Sequence, residues 1–440
     1  MKKKSIGVFS LISIGVGSMI GAGIFSTMGS GITLAGRSLT IAIVIAALLV
    51  FLQCFTEFAL TSAFSLPGGT YAVNALTLPK FFVGVTAINY ILANFGRSVM
   101  GLTMASFLAE LIPALADYQT QVAFLLITMF FLVSIPGTQF LTKVQNVMTI
   151  CMYAALGLFI VYGFLFADPQ AYAGEPFMAK GVSGVFAAAA VLSWSCHGAQ
   201  NITSIIDDVD DGNKKVPKAF LLTFLVGGAI YVLLAFACTH AMPYAEVAGQ
   251  NMGYVAQKIM PTGLYLFFTI GGALFALGTT MLGAISAMKW PIYASAEDGW
   301  LPPVFTKKTQ KGFPWVVMLM MYLVAVLPVV GGFSLNSIVS LILVPGNIAN
   351  IVRVFYSWNI PEKYPNTWKK NTLHMSAGVY RVMLVFSLIA SATLAYFGLR
   401  NQSTSGMIGN LLMTAGLIIY SYLRYRSGKV HFKALEVNAN

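Results

Sequence analysis

Long apolar runs separated by short polar stretches follow one another along the whole chain. Twelve such runs lie at about residues 6–32, 38–63, 80–112, 120–137, 144–166, 182–206, 218–241, 261–288, 313–332, 335–357, 376–398 and 406–423. An α-helix needs about 20 apolar residues to cross the hydrocarbon of a bilayer, whereas a barrel strand needs only about 9–11. These runs have the helical length. In lipid every backbone N–H and C=O must find its partner inside the segment, which a helix provides. The pattern predicts an all-α membrane protein with 12 transmembrane helices. Because twelve is even, it puts both termini on the same side.

The composition points the same way. Of the 440 residues 58% are hydrophobic and 9% charged, where soluble domains carry about 25% charged residues. So few polar groups cannot clothe a chain of this length in water, so lipid must cover most of its outside. Three lysines within Met1–Ser5 resemble a signal-peptide n-region. The apolar stretch behind them continues past Ile32, and no small-residue cleavage site precedes the glycine cluster, so the segment reads as a first span. Cys54, Cys151, Cys196 and Cys238 all fall in apolar runs without paired spacing, and are expected to be buried free thiols.

The +12 net charge acquires a meaning from its distribution. With the N-terminus inside, 21 of the 26 basic residues fall in inner segments. Arg37, Lys180, Lys258 and Arg400 fall outside, and Arg97 lies within a span. This asymmetry is the positive-inside pattern, and predicts a multi-pass cell-membrane protein with both termini cytoplasmic. The anionic inner leaflet then accounts for the charge, and no nucleic-acid partner is expected. No Walker loop occurs, and His197, His240, His374 and His431 belong to no nucleophile–base or metal-ligand set. No enzymatic activity, cofactor or metal is expected. Asp207, Asp208, Asp210 and Asp211 lack the spacing of a Ca²⁺ loop and are expected to pair with Lys214, Lys215 and Lys218. No separate soluble domain is visible. The outer stretch 242–260, bounded by Pro243 and Pro261, has room for a short surface helix.

Two runs are interrupted. The first holds Gly15, Gly17, Gly21, Gly23, Gly29 and Gly31, and the sixth holds Ser193-Trp194-Ser195-Cys196-His197-Gly198-Ala199-Gln200-Asn201. They open two consecutive blocks of five spans. Five is odd, so the second block enters the membrane from the opposite face. Paired interruptions at matching places of two halves point to an inverted-repeat transporter with a midplane site. Unwinding a helix there frees N–H groups that suit a carboxylate, and carbonyls that suit an ammonium group or Na⁺. Small residues in membrane helices also serve packing alone, and Gly17/Gly21 has that spacing.

The same residues resemble those of the amino acid–polyamine–organocation (APC) transporter family. The resemblance rests on Gly15-Val16-Gly17-Ser18-Met19-Ile20-Gly21-Ala22-Gly23-Ile24-Phe25; on Glu57-Phe58 with Leu66-Pro67-Gly68-Gly69-Thr70-Tyr71; on Gly212-Asn213-Lys214-Lys215-Val216-Pro217-Lys218-Ala219; and on Ala296-Glu297-Asp298-Gly299-Trp300-Leu301-Pro302. It implies a LeuT-like 5+5 inverted repeat with discontinuous helices 1 and 6, followed by helices 11 and 12. The transmembrane unit is then 1–440, with repeat one about 6–166, repeat two about 182–357 and the last helices about 376–423. By resemblance, the backbone from Ser18 through Gly21, Ala22, Gly23 and Ile24 holds the substrate carboxylate. The carbonyls of Ser193 to Cys196, beside His197 and Gly198, hold the amino group. Trp194 is the aromatic gate, unless it is an ordinary packed aromatic. Met152 stands where some proton-coupled members carry lysine, and Gln200 where decarboxylation-linked exchangers often carry glutamate.

Other polar residues sit inside spans. Thr86, Tyr90, Asn94 and Arg97 share one helical stripe. Arg97 either reads an anionic or polar group of the substrate or forms an ion pair, Glu57 being the candidate, or reaches water. His197 either titrates or stays neutral. Thr279-Thr280 either complete a Na⁺ site with carbonyls of span one or bond their own helix. The expected function is secondary active transport of a neutral or polar amino acid by alternating access, as an exchanger or as a symporter for which H⁺ and Na⁺ are the candidate coupling ions. A polyamine, amine or acidic amino acid antiporter is the alternative within the fold. A channel or receptor on the same scaffold is the alternative outside it.

Overall fold

The computed structural model describes residues 7–64, 70–135, 138–167, 175, 177–310, 312–332, 335–400 and 403–432. Lys2, Lys3, Lys4, Leu66, Pro67, Gly68, Gly69, Lys311 and Lys433 lie outside the described residues, as do the side chains of Ala22, Lys143, Asp207 and Asp208. Every regular element among the described residues is helical. In the first half they are α1 (Val8–Met19), α2 (Ala22–Ala35), α3 (Leu39–Gln53), α4 (Phe55–Ala63), α5 (Thr70–Thr77), α6 (Val83–Leu92), α7 (Phe95–Leu111), α8 (Gln119–Val133) and α9 (Thr138–Leu165). Then come α10 (Gly181–Cys196), α11 (Gly212–His240), α12 (Tyr244–Val247), α13 (Met252–Ile259), α14 (Thr262–Phe267) and α15 (Phe275–Glu297). The chain closes with α16 (Trp315–Val330), α17 (Leu335–Ser357), α18 (Ile360–Lys363), α19 (Pro365–Lys369), α20 (Ala377–Arg400) and α21 (Thr404–Arg426).

Ten helices among the described residues are long and apolar enough to cross a membrane. Their outer faces carry bare apolar side chains, with Leu132 59%, Leu225 60% and Leu412 68% exposed. A surface of this kind is stable only against lipid. Inside, α1 and α2 pack among α10, α11 and α15, so the interrupted first span sits at the centre of the bundle. The stretch 242–260 folds as two short helices. Asn251 caps α13 by accepting a 2.9 Å bond from the Tyr254 N–H, and Met252, Val255, Ala256 and Ile259 form its buried face.

Span eight is longer than its apolar run. The pattern ends at 288, yet α15 continues to Glu297 with Pro291 inside it. Proline forfeits one backbone bond but does not end a helix that neighbours hold. Beyond it Tyr71 donates a 2.6 Å bond to Asp298, and Gly299 adopts φ 90°. Arg424 donates to the Gly299 carbonyl at 2.8 Å. The motif around Asp298 thus ties the ends of distant helices together.

Glu57 on α4 and Arg353 on α17 form a buried ion pair at 2.7 Å. Arg353 lies near the end of α17, within the apolar run 335–357. Removing one partner strands a charge away from water, at a cost of about 3–5 kcal/mol. Arg353→Met is expected to lower the unfolding temperature of the purified protein sharply. The double variant Glu57→Gln, Arg353→Met should recover most of the loss.

Candidate functional site

The first span breaks where its glycines cluster. The α-helix stops at Met19, Ile20 is extended at ψ 105°, Gly21 is extended at φ −171°, and a new helix starts at Ala22. No side chain caps that start. The first N–H groups of α2 therefore open into the bundle interior without intrahelical acceptors. The carbonyls that α1 leaves behind are occupied. Thr280 of α15 donates toward the carbonyls of Gly17 (3.3 Å) and Ile20 (3.1 Å). The Tyr231 hydroxyl of α11 lies 2.6 Å from the Met19 carbonyl.

The sixth span breaks at the polar cluster. Helix α10 ends at Cys196, His197 is extended at ψ 153°, and Gly198 takes φ 123° before a tight 3₁₀ segment Ala199–Asp208. That φ belongs to glycine. The Gly198 N–H is held by Gln200 Oε1 at 2.8 Å. Gln200 therefore serves the break itself through its side-chain carbonyl oxygen.

The two breaks touch. A side chain on Gly198 would run into the Ser18 carbonyl, and one on Gly23 would run into the Ser195 backbone. Thr27 bonds the Gly23 carbonyl at 2.7 Å and meets the Ser195 hydroxyl at 3.1 Å. Tyr231 is the common post, because its hydroxyl also lies 2.9 Å from the Ser195 carbonyl. One phenol thus holds the ends of both broken helices. The glycines of span one serve packing as well as the break, since Gly15 faces Thr223 and Gly21 faces Thr280.

The expected site residues divide accordingly. Ser18, Gly21, Gly23, Ile24, Ser193, Cys196 and Gly198 are buried at or beside the two breaks, and Trp194 and His197 are half-buried there. Ala22 provides the first residue of α2. The Ser193 hydroxyl donates to its own helix at the Ala190 carbonyl, 2.7 Å away, so its one hydrogen is not available to a ligand. Thr279 likewise bonds its own helix at Ala276, 3.0 Å away, and only Thr280 reaches span one. Sequence reasoning passed over Tyr231. A single phenol near the middle of an otherwise apolar run was the only signal.

Asn94 and Arg97 come from span three. Asn94 donates to the carbonyls of Tyr90 and Ile91, both at 3.0 Å. The ion pair expected as one alternative for Arg97 does not form, because Glu57 is taken by Arg353. Arg97 donates from Nη1 to the Ala93 carbonyl at 2.7 Å. Its Nε and Nη2 are buried without a partner among the described residues.

Comparisons with known proteins extend this picture. Residues 6–420 match the sequence model of the amino acid permease family. The chain is 25% identical over 293 residues to the methylthioribose transporter of Bacillus subtilis strain 168, covering 62% of each protein. It is 27% identical to the branched-chain amino acid permease BcaP of the same organism, over 62% of this chain and 63% of that one. To the cationic amino acid transporter 5 of Arabidopsis thaliana it is 25% identical, over 62% and 50%. The matched parts thus span less than two thirds of these relatives.

Proposed function

The chain belongs to the amino acid permease family, and from that premise we propose that it is a secondary active transporter moving amino acids across a cell membrane by alternating access. The observation that carries the reading is the meeting of the two breaks, with Gly198 seated on Ser18 and Tyr231 bonded to both helix ends. The uncapped start of α2 offers N–H groups and partial positive charge to a carboxylate. The end of α10 offers carbonyls to an ammonium group. A zwitterionic α-amino acid satisfies both at once. Trp194 closes over it.

The architecture proposed for this function is twelve spans, five plus five in inverted repeat and two beyond, with both termini cytoplasmic. Helices at each of the twelve apolar runs support it, as does the excess of basic residues on one side. The Thr280 hydroxyl carries its proton to the two carbonyls that a Na⁺ would need. Transport is therefore proposed to proceed without Na⁺. Replacing Na⁺ by choline should leave the rate unchanged, and a rate that collapses in choline would reverse that assignment.

The function is tested by reconstituting the purified protein in liposomes preloaded with each amino acid in turn. Saturable uptake that accelerates when the same amino acid is inside supports a carrier. Uptake linear with concentration and indifferent to the inner pool would mark a channel. Absence of uptake with any amino acid would refute the transport function.

A further inference from the structure

Arg97 is the charge within the bundle that the proposed site leaves unused. It is only 4% exposed, and two of its three guanidinium nitrogens have no partner among the described residues. The third is spent on the Ala93 carbonyl of its own helix. The buried carboxylate of Glu57 is engaged by Arg353 at 2.7 Å. A buried guanidinium needs a counter-charge and acceptors, because its lost hydration must be replaced.

Its position points to what supplies them. Gly278, two residues before Thr280 on α15, abuts Phe130 of α8, and Gly101, about one turn from Arg97, abuts Ile127 of the same helix, so Arg97 and Thr280 lie within about a turn of one another in depth. On α7, Phe107 meets Phe25 of α2 at 5.9 Å, and Gly101 abuts Ile127 of α8. At ~100° per residue, Arg97 falls between them, about 80° from the first and about 40° from the second. Helix α15 packs against α2, α7 and α8 and therefore fills that angle. Thr280 on α15 is bonded to the break in span one. Arg97 thus faces the side of the bundle where the first span opens.

We propose that Arg97 selects amino acids with an anionic side chain, its two free donors gripping a second carboxylate beyond the one held by α2. The proposal rests on the reading of the two breaks as the substrate site. A carboxylate accepts from two guanidinium N–H groups in a planar fork, whereas an apolar side chain leaves both unsatisfied and a cationic one is repelled. The choice of substrate therefore moves from neutral or polar amino acids to acidic ones, and polyamines are disfavoured.

The test uses the wild-type protein, Arg97→Met and Arg97→Lys in liposomes and in thermal-shift assays. The ligands are aspartate, glutamate, alanine and leucine, in gluconate buffer with and without chloride. Wild type is expected to bind the acidic pair more tightly than the neutral pair. Arg97→Met should weaken the acidic pair about 10- to 100-fold, as loss of charge-assisted hydrogen bonds implies, and Arg97→Lys should lie between. Neutral amino acids preferred by wild type, with Arg97→Met unaltered in preference, would overturn the inference and leave the transporter reading intact. Neutral binding that requires chloride would overturn it by making chloride the partner. Binding of none of the four ligands would overturn it too, and failure of every amino acid in the uptake assay would sink the transporter reading as well. If Arg97→Met does not fold, the wild-type order of affinities decides alone.

Discussion

Gly23→Ala is expected to cut transport at least about tenfold while the protein still reaches the membrane and remains folded. The added carbon would collide with the Ser195 backbone, which cannot swing aside as a flexible side chain does. Forcing an extra methyl group into a packed interior costs about 1–3 kcal/mol, and each 1.4 kcal/mol is a factor of ten in an equilibrium. The strain falls on the contact between α2 and α10, the two half-helices that frame the proposed site. Gly157→Ala is the control. It sits on α9 with open space around the new carbon, and exchanging it should leave the rate within about twofold, because a glycine-to-alanine change in a helix is mildly stabilising in itself. Initial uptake rates normalised to protein in the membrane decide the matter, and equal activity of the two variants would remove the close approach from the mechanism.

Tyr231→Phe is expected to have the second large effect. Its hydroxyl lies 2.6 Å from the Met19 carbonyl and 2.9 Å from the Ser195 carbonyl. The ring is fully buried, so its loss is not made good by bulk water. An unsatisfied buried acceptor costs about 1–3 kcal/mol, and the one O–H that these two carbonyls share is lost. The purified variant should unfold several degrees lower, and its apparent affinity for substrate should fall about tenfold or more, because the two breaks lose their shared post. Tyr396→Phe, exposed at 57%, should change neither. A Tyr231→Phe protein that melts lower yet binds substrate normally would make Tyr231 a stabilising residue only.

Much of this arrangement was written along the chain. Twelve apolar runs located the helices to within a few residues at most ends, because the requirement that lipid imposes on the backbone acts locally. The breaks were equally legible, since glycines in one run and Ser193 to Asn201 in another are expensive in lipid unless they line something polar. Contacts between distant spans were not legible. Met19 and Tyr231 are 212 residues apart, and Glu57 and Arg353 are 296 apart. No periodicity links them, so Glu57 was set beside Arg97 as one alternative when Arg353 was its partner. The same blindness hid the continuation of α15 through Pro291, where tertiary neighbours override a residue that usually ends helices.

That Ser193 and Thr279 turned inward to their own helices while Thr280 turned to span one shows where sequence reading stops. A hydroxyl in a membrane helix has a local acceptor three or four residues back, and only packing decides whether it uses it. The main-chain groups of the site are less ambiguous, because a helix that ends has unsatisfied groups wherever it ends. Backbone geometry therefore serves the part of the ligand common to all amino acids, and Arg97 the part that differs.

The most direct measurement is a structure of the purified protein with the amino acid that raises its melting temperature most. The account predicts ligand density between α2 and α10, its carboxylate within about 2.7–3.2 Å of the N–H groups that begin at Ala22. Density for the transported amino acid anywhere else, with the α2 N–H groups untouched, would contradict it.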